Sequence, residues 1–472
     1  MQKYSLSHKT DNDRKKHYCE KEQKMNGYTR SMISGNELGC IVRFTLPLLF
    51  GNIFQQLYNI VDSVVVGQYL GANALASVGA TGSIIFLFNT MFIGVSIGTG
   101  ILIAQHFGAG NEEYVKKLIA NSAYTVAAIS VLITMLSITF APELLKLLET
   151  PETIIDGSVS YMRIVCSGTI AMAAYNWINS VMRSLGNSTV PLVFLIISSV
   201  INVGLDLIFV MVFEMGVSGA ALATVLSQGI SAVGCIIFAF VKFPQFRIGK
   251  ENAALDTKAV RNCITKGIPI ALQNAFISLS MIYLQRTANI FGDTVVAAYT
   301  ATMRVEQLIH QPFMSLGTAL STFVGQNLGA GQLERCVKGY RKSMILMAVF
   351  SAVMLGVFML FSGTIVSFFV NEPEVIAIGD TALKINACLY LFLGTIYVTR
   401  GLLNGAGDVG YSMLNGFFEV IGRIGFATVL VSIPMVGCWA VWITSGLTWF
   451  ITAVMSIFRY KSGKWKQHSI NN

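Results

Sequence analysis

Long apolar segments recur along the whole chain, and they constrain its fold more than any other feature. Segments such as 118–140, 191–213 and 344–361 approach or exceed the roughly 20 apolar residues that a helix needs to cross a bilayer. They are apolar on every face, whereas the strands of outer-membrane barrels alternate apolar and polar residues. Only 12% of the 472 residues are charged, about half the fraction of a soluble domain. The sequence therefore predicts an all-α polytopic membrane protein.

Glycine, proline and charged clusters divide the chain into twelve predicted transmembrane spans. In order, these spans cover residues 41–66, 75–106, 118–140, 158–182, 190–213, 217–241, 264–291, 295–326, 337–362, 379–404, 411–433 and 437–458. Residues 1–39 carry several charges and no apolar stretch. We therefore expect a cytoplasmic leader and not a cleavable signal peptide.

The distribution of lysine and arginine predicts how the chain is oriented. A cytoplasmic N-terminus places 27 of the 33 basic residues on the cytoplasmic side, where short loops retain them. Both termini are then cytoplasmic, and we expect a multi-pass protein of the inner membrane. This topology and anionic lipid headgroups account for the net charge of +9, so we expect a lipid bilayer and no nucleic acid as partner.

The two halves of the chain repeat each other at an offset of 221 residues. The segments from Ala104 to Asn111 and from Gly325 to Gln332 are related, and Gln105 falls on Gln326. The same offset relates Gly110 to Gly331, Gly186 to Gly407, Asn187 to Asp408 and Gly216 to Gly437. Six spans in each half make the repeat parallel. We therefore predict two six-helix lobes related by a pseudo-two-fold axis along the membrane normal, with the substrate path between them.

The predicted domains follow from this repeat. They are the leader 1–39, an N-lobe at 40–241, a cytoplasmic linker at 242–263, a C-lobe at 264–460 and a cytoplasmic tail at 461–472. Pro47 and Pro269 lie early in the first span of each lobe, at positions that differ by one residue from the offset. A missing backbone donor permits bending there, so the two prolines are candidate hinges or static kinks.

Acidic residues inside spans are the most informative positions because each costs roughly 2.5 to 3.5 kcal/mol at the bilayer centre unless it is compensated. Asp62 and Asp206 both fall in the outer half of the bilayer by their distance from the span ends. Asn202, Thr224 and Tyr161 reach a matching depth. These five residues predict a cation-coupling site for H+ or Na+, with a possible Na+ position at Asp62, Asn202 and Asp206. The alternative is that the aspartates only bond adjacent helices.

Other polar residues in the spans are candidates for the substrate cavity. Gln55, Asn176 and Asn179 face the inner part of the predicted path, although amides also join membrane helices without contacting a ligand. In the second half, Arg304, Glu306 and His310 lie near the middle of span 8. They form either a proton relay or substrate contact, or a buried ion pair between Arg304 and Glu306.

The chain has no Gly-rich loop with Lys-Ser/Thr for ATP and no cytoplasmic stretch long enough for a nucleotide domain. Transport must then use an ion gradient, and we expect no cofactor beyond H+ or Na+. A flippase for a lipid-linked or polysaccharide precursor is the alternative, although its anionic cargo would require several basic residues in the cavity. An enzyme is disfavoured because no nucleophile and base are paired at a membrane face.

These residues resemble the multidrug and toxic compound extrusion (MATE) family, most closely its DinF-like bacterial branch. The resemblance covers roughly residues 38–460. It is carried by Leu57 to Ser63 (LYNIVDS), Val66 to Gly71 (VGQYLG), Ala74 to Ala76 (ALA), the repeated Gly-Ala-Gly loops, Met182 to Asn187 (MRSLGN) and Asn202 to Asp206 (NVGLD).

The resemblance implies a V-shaped, monomeric antiporter that exports organic cations and drugs in exchange for H+ or Na+. It places Asp62, Tyr161, Asn202, Asp206 and Thr224 in the cation site of the first lobe, with Gln55 and Asn179 on the adjoining cavity wall. The NorM-like branch keeps an acidic residue in span 7, where this chain reads Ala271 to Phe276 (ALQNAF). A Na+ site in the second lobe is therefore not expected.

Overall fold

A computed structural model describes residues 31–147 and 150–468, and these residues are almost entirely helical. The first half contains α1 (Glu37–Leu70), α2 (Ala72–Gly108), α3 (Glu112–Leu147), α4 (Glu152–Ser167), α5 (Thr169–Ser184), α6 (Thr189–Asp206) and α7 (Gly216–Lys242). The second half contains α8 (Thr257–Asn289), α9 (Asp293–Gly329), α10 (Leu333–Ser367), α11 (Pro373–Ala406), α12 (Val409–Val431) and α13 (Ala440–Lys461).

Every predicted span coincides with helical structure, so the all-α prediction is confirmed. Ten helices of the described ranges are long and apolar enough to cross a membrane. The fourth predicted span is divided into α4 and α5 at Gly168. A Cβ on Gly168 would lie 2.3 Å from the side chain of Val225, so the glycine lets α7 approach closely. The eighth span, α9, is a continuous helix of 37 residues that includes Arg304 and Glu306.

The backbone reproduces the internal repeat. Glycines with positive φ occur in pairs 221 residues apart, at helix ends: Gly71 and Gly292, Gly110 and Gly331, Gly186 and Gly407, and Gly216 and Gly437. Within each pair the two φ values agree within 6°. Left-handed backbone favours glycine because it lacks a Cβ. The two halves therefore place the same turns at the same points.

Two large apolar cores lie one in each half, and each takes in part of the other half's first helix. Ile41, Phe44 and Leu48 of α1 pack into the core built from α9, α10 and α11. Ala259 and Cys263 of α8 pack into the core built from α2 to α7. The halves are therefore joined crosswise, at the end of the helices that is predicted to face the cytoplasm.

The predicted linker is fastened to the first half by polar contacts with α3. Lys117 Nζ donates to Asp256 Oδ2 at 3.0 Å, and Asn121 Nδ2 donates to the carbonyl of Ala254 at 3.2 Å. Asp256 also caps α8 by accepting from the backbone of Lys258 and Ala259. The bond from Lys117, followed by the backbone donors, lowers the pKa of the Asp256 carboxyl. These contacts fix where α8 begins.

Candidate cation site in the first half

The two aspartates predicted from the sequence meet in the part of the first half that is predicted to face outward. Asp62 lies in α1, and Asp206 is the last residue of α6. A π-helical turn, Leu207–Val212, follows Asp206 directly. Such turns replace regular helical bonding and are frequent at functional sites. The carboxyl groups of Asp62 and Asp206 are neighbours that interact directly with each other.

Asn202 connects this carboxyl pair to α7. With its amide oriented so that both its groups are satisfied, Asn202 donates to Asp206 Oδ2 at 2.9 Å and accepts from the backbone N–H of Thr224 at 3.2 Å. Asp206 and Asn202 are each only 1% exposed, and the Thr224 hydroxyl donates to the carbonyl of Ala220 at 3.1 Å. The Asn202 amide therefore connects the Asp206 carboxyl group to the backbone of α7.

Two tyrosines enclose the pair. Tyr161 of α4 is buried and lies close to both carboxyl groups, as predicted. Tyr58 of α1 also lies close to both carboxyl groups and to the side chain of Thr224. We did not predict Tyr58 from the sequence. Its spacing of four residues from Asp62 places both on one helix face and is the signal that identifies it.

No protein group within residues 31–147 and 150–468 compensates the charge of this site. In the described part of the chain, no lysine, arginine or histidine forms an ion pair with Asp62 or Asp206. The Oδ1 atoms of both aspartates are buried without a hydrogen-bond partner. Two adjacent carboxylates in a low dielectric cannot both ionise cheaply. The arrangement suits a shared proton or a small hard cation bound by oxygen atoms.

The predicted cavity amides of the first half occupy different environments. Gln55 is half-buried and donates to Asn59 at 3.5 Å, and Asn176 donates to the carbonyl of Met172 in its own helix. Asn179 is only 5% exposed and contacts Cys235 of α7, so it packs inside the lobe. The structure does not gather these three amides into one cluster with the carboxyl pair.

Arg304, Glu306 and His310 of the second half do not act as a unit in the structure. Arg304 is exposed, whereas Glu306 accepts a hydrogen bond from Asn386 of α11. The possible ion pair between Arg304 and Glu306 is therefore not formed. The His310 ring packs at 6.2 Å from Tyr397 and 6.1 Å from Trp449, measured between ring centroids.

A compensated ion network occupies the interior of the second half instead. Glu419 Oε2 lies 3.2 Å from Arg400 Nη2, and Glu419 Oε1 lies 3.5 Å from Arg423 Nη2. Arg423 is 1% exposed and also donates to Ser280 at 2.6 Å. Glu419 and Arg423, four residues apart in α12, are therefore paired, and Arg400 joins them. The net charge of the three side chains is positive, which suits the nearby carboxyl of Glu306.

The two candidate hinge prolines lie inside helices that continue past them. Pro47 is in α1 and Pro269 is in α8. Close by on α8, a Cβ on Gly267 would lie 2.4 Å from Val95 Cα of α2. The halves thus touch through backbone near Pro269. Bending at either proline stays a prediction.

Comparison with known proteins identifies relatives along nearly the whole chain. The MatE family profile matches residues 47–208 and again 269–429, one match in each half. The "Probable multidrug resistance protein YpnP" of Bacillus subtilis is 30% identical over 92% of this chain and 96% of its own. The "Probable multidrug resistance protein NorM" of Thermotoga maritima is 25% identical, with 91% and 93% covered. A structure described as the outward-facing conformation of a multidrug resistance MATE family transporter superposes with a TM-score of 0.86 at 22% identity, covering 92% and 98%.

Proposed function

Because the chain belongs to the MatE family, we propose that it is a secondary-active multidrug efflux antiporter. It exports lipophilic organic cations across the inner membrane in exchange for H+ or Na+. Both termini face the cytoplasm, and the transporter works as a monomer. The names of the relatives, which describe multidrug resistance proteins, support drugs as its substrates.

The observation that carries this proposal is the uncompensated acid pair. Asp62 and Asp206 are neighbours, each has a buried Oδ1 atom, and neither has a basic partner in the described ion pairs. Carboxyl groups placed in this way hold a cation in one conformation and release it in another. In the second half, by contrast, Glu419 is neutralised by two arginines. Energy coupling therefore resides in the first half.

The mechanism follows from the geometry of α1 and α6. Binding of a proton or Na+ at Asp62 and Asp206 joins α1 to α6 at the outer part of the lobe. Loss of that cation leaves two adjacent negative charges that repel each other and favour a different packing of α1. Because α1 also packs into the core of the second half, its movement changes how the two lobes meet. Binding or release of the ion thereby changes the side of the membrane to which the substrate path is open.

The test is efflux of a fluorescent lipophilic cation from cells that express the chain. The H+ gradient and the Na+ gradient are collapsed separately, and the loss of export under one of the two treatments identifies the coupling ion. A variant with Asp206→Asn is the control for site-dependent export. Export that persists in the absence of both gradients, or no export of any cation, contradicts the proposal.

A further inference from the structure

The two halves contact each other through a reciprocal pair of hydrogen bonds at the cytoplasmic end. Gln105 Nε2 of the first half donates to the carbonyl of Gly405 in the second half at 2.9 Å. Gln326 Nε2 of the second half donates to the carbonyl of Ser184 in the first half, also at 2.9 Å. The offset of 221 relates Gln105 to Gln326 and Ser184 to Gly405. The bonds are therefore symmetry copies of each other.

Backbone contacts between the halves surround these bonds and follow the same symmetry. A Cβ on Gly108 would lie 2.0 Å from the carbonyl oxygen of Gln326, and one on Gly329 would lie 1.9 Å from that of Gln105. Ala104 and Gly325, another pair related by the offset, approach so closely that their Cβ atoms would be 3.0 Å apart. The pseudo-two-fold axis thus passes between Ala104 and Gly325. The Gly-Ala-Gly loops flank it on either side.

Gln326 makes an additional hydrogen bond that the described contacts do not show for Gln105. The segment before α1 lies against the second half, where the backbone N–H of Met32 donates to Gln326 Oε1 at 2.9 Å. Arg335 donates to the carbonyls of Gly35, Ser34 and Met32, at 2.7, 2.9 and 3.3 Å. Gln326 therefore bonds the first lobe through its nitrogen and the segment before α1 through its oxygen.

We propose that Gln105, Gln326, Gly108 and Gly329 form a two-fold latch that closes the cytoplasmic end of the substrate path. This inference rests on the proposed alternating access and names the residues that position the lobes in one of its states. The latch consists of neutral hydrogen bonds from amides to carbonyls and of close backbone packing. Such contacts separate without exposing a buried charge, which suits an interface that must open and close in each transport cycle.

The support at Met32 also connects the latch to the acid pair. Met32 is followed by α1, whose cytoplasmic half packs into the second lobe and whose outer half carries Asp62. A shift of α1 on cation release therefore acts on the segment that holds Gln326. Since Gln105 has no equivalent support among its described contacts, the latch should open more readily when Gln326 is removed than when Gln105 is removed.

The latch is tested by measuring the distance between the lobes in purified full-length protein in nanodiscs. Spin labels are placed at Glu113→Cys and Glu334→Cys, two exposed positions after the two loops, with the native cysteines replaced. We expect Gly108→Ala to reduce the population with the short distance roughly tenfold or more, because the added methyl group meets backbone that cannot move away alone. Gly79→Ala is the matched control, since it lies in the same helix and its Cβ would meet nothing within 4 Å.

The glutamines give a second measurement with the same labels. Gln105→Leu and Gln326→Leu should each shift the population toward the long distance, with the larger shift for Gln326→Leu. If the distance distribution of Gly108→Ala equals that of Gly79→Ala, the latch does not exist as described. A protein that shows the predicted shifts but exports no cation would instead overturn the proposed function and leave the latch intact.

A cross-link provides an independent check in case Gly108→Ala folds poorly. Cysteines at Ala104→Cys and Gly325→Cys would place their Cβ atoms slightly closer than the usual separation in a disulfide, which small adjustments accommodate. Oxidation should join the lobes and reduce export to background, and reduction should restore it. Full export by the oxidised, demonstrably cross-linked protein would show that this end does not open during transport.

Discussion

Glu419 and Asp206 have opposite electrostatic surroundings, so replacing each acid by its amide should affect stability in different ways. Glu419→Gln removes the only acidic partner that Arg400 and Arg423 have in the described ion pairs and leaves two buried positive charges close together. Removing one partner of a buried pair typically costs about 3–5 kcal/mol. Asp206→Asn instead removes one of two mutually repelling acids and keeps an amide that accepts from Asn202. It should leave stability unchanged or raise it.

The assay is thermal unfolding of both purified variants and the wild type in the same detergent at pH 7. For units of 150–250 residues, close to the size of one lobe, each kcal/mol shifts the midpoint by roughly 2–4 °C. We therefore expect Glu419→Gln to unfold at least ~6 °C below the wild type. Asp206→Asn should not unfold below it. The reasoning is refuted if Asp206→Asn loses as much stability as Glu419→Gln, because the aspartate pair would then be a structural element.

Three further predictions address other contacts. Asn202→Leu removes the donor that lies 2.9 Å from Asp206 and should reduce ion-driven export by roughly tenfold. Tyr58→Phe keeps the aromatic ring and should reduce export less. Initial rates of dye efflux at equal expression measure both effects. Gly267→Val should destabilise the contact of α8 with α2 by about 1–3 kcal/mol, seen as a lower unfolding midpoint, while Gly356→Ala, with nothing within 4 Å, should not. The pKa of Asp256 is lowered in the folded protein, so its contribution is present at neutral pH and is lost as pH falls through that lowered value. The protection factors of residues 250–258, taken relative to intrinsic exchange at the same pH, should therefore fall at acid pH in the wild type. Asp256→Asn should show the lower protection already at pH 7.

The architecture could be predicted from the sequence because the governing signals are local or periodic. Apolar runs predict where helices cross the membrane and how many there are, and the offset of 221 relates those of one half to those of the other. The two aspartates were also detectable, since an acidic residue in an apolar span costs free energy unless a partner or a ligand compensates it. Asn202 was placed by its spacing of four residues from Asp206, and Thr224 and Tyr161 were placed by depth. In the structure Asn202 bonds Asp206 and the backbone of Thr224, and Tyr161 lies close to both carboxyl groups.

The contacts between helices that could not be predicted depend on how each helix is rotated about its own axis. Helices that are apolar on all faces carry no amphipathic signal to show which residue meets which neighbour. The pairing of Glu306 with Asn386 in place of Arg304, and the addition of Arg400 to Glu419, therefore could not be predicted. The break at Gly168 was missed for a related reason, because a glycine within an apolar run interrupts a helix only when a neighbour such as Val225 packs against it.

The central claim, that Asp62 and Asp206 couple ion flow to export, is tested most directly in proteoliposomes. Wild type, Asp62→Asn and Asp206→Asn are reconstituted in equal amounts, and uptake of a lipophilic cation is followed under an imposed H+ gradient and, separately, an imposed Na+ gradient. We predict accumulation by the wild type under at least one gradient. Both variants should insert and fold normally but accumulate no more than empty liposomes. Accumulation near the wild-type level by both variants would contradict the account.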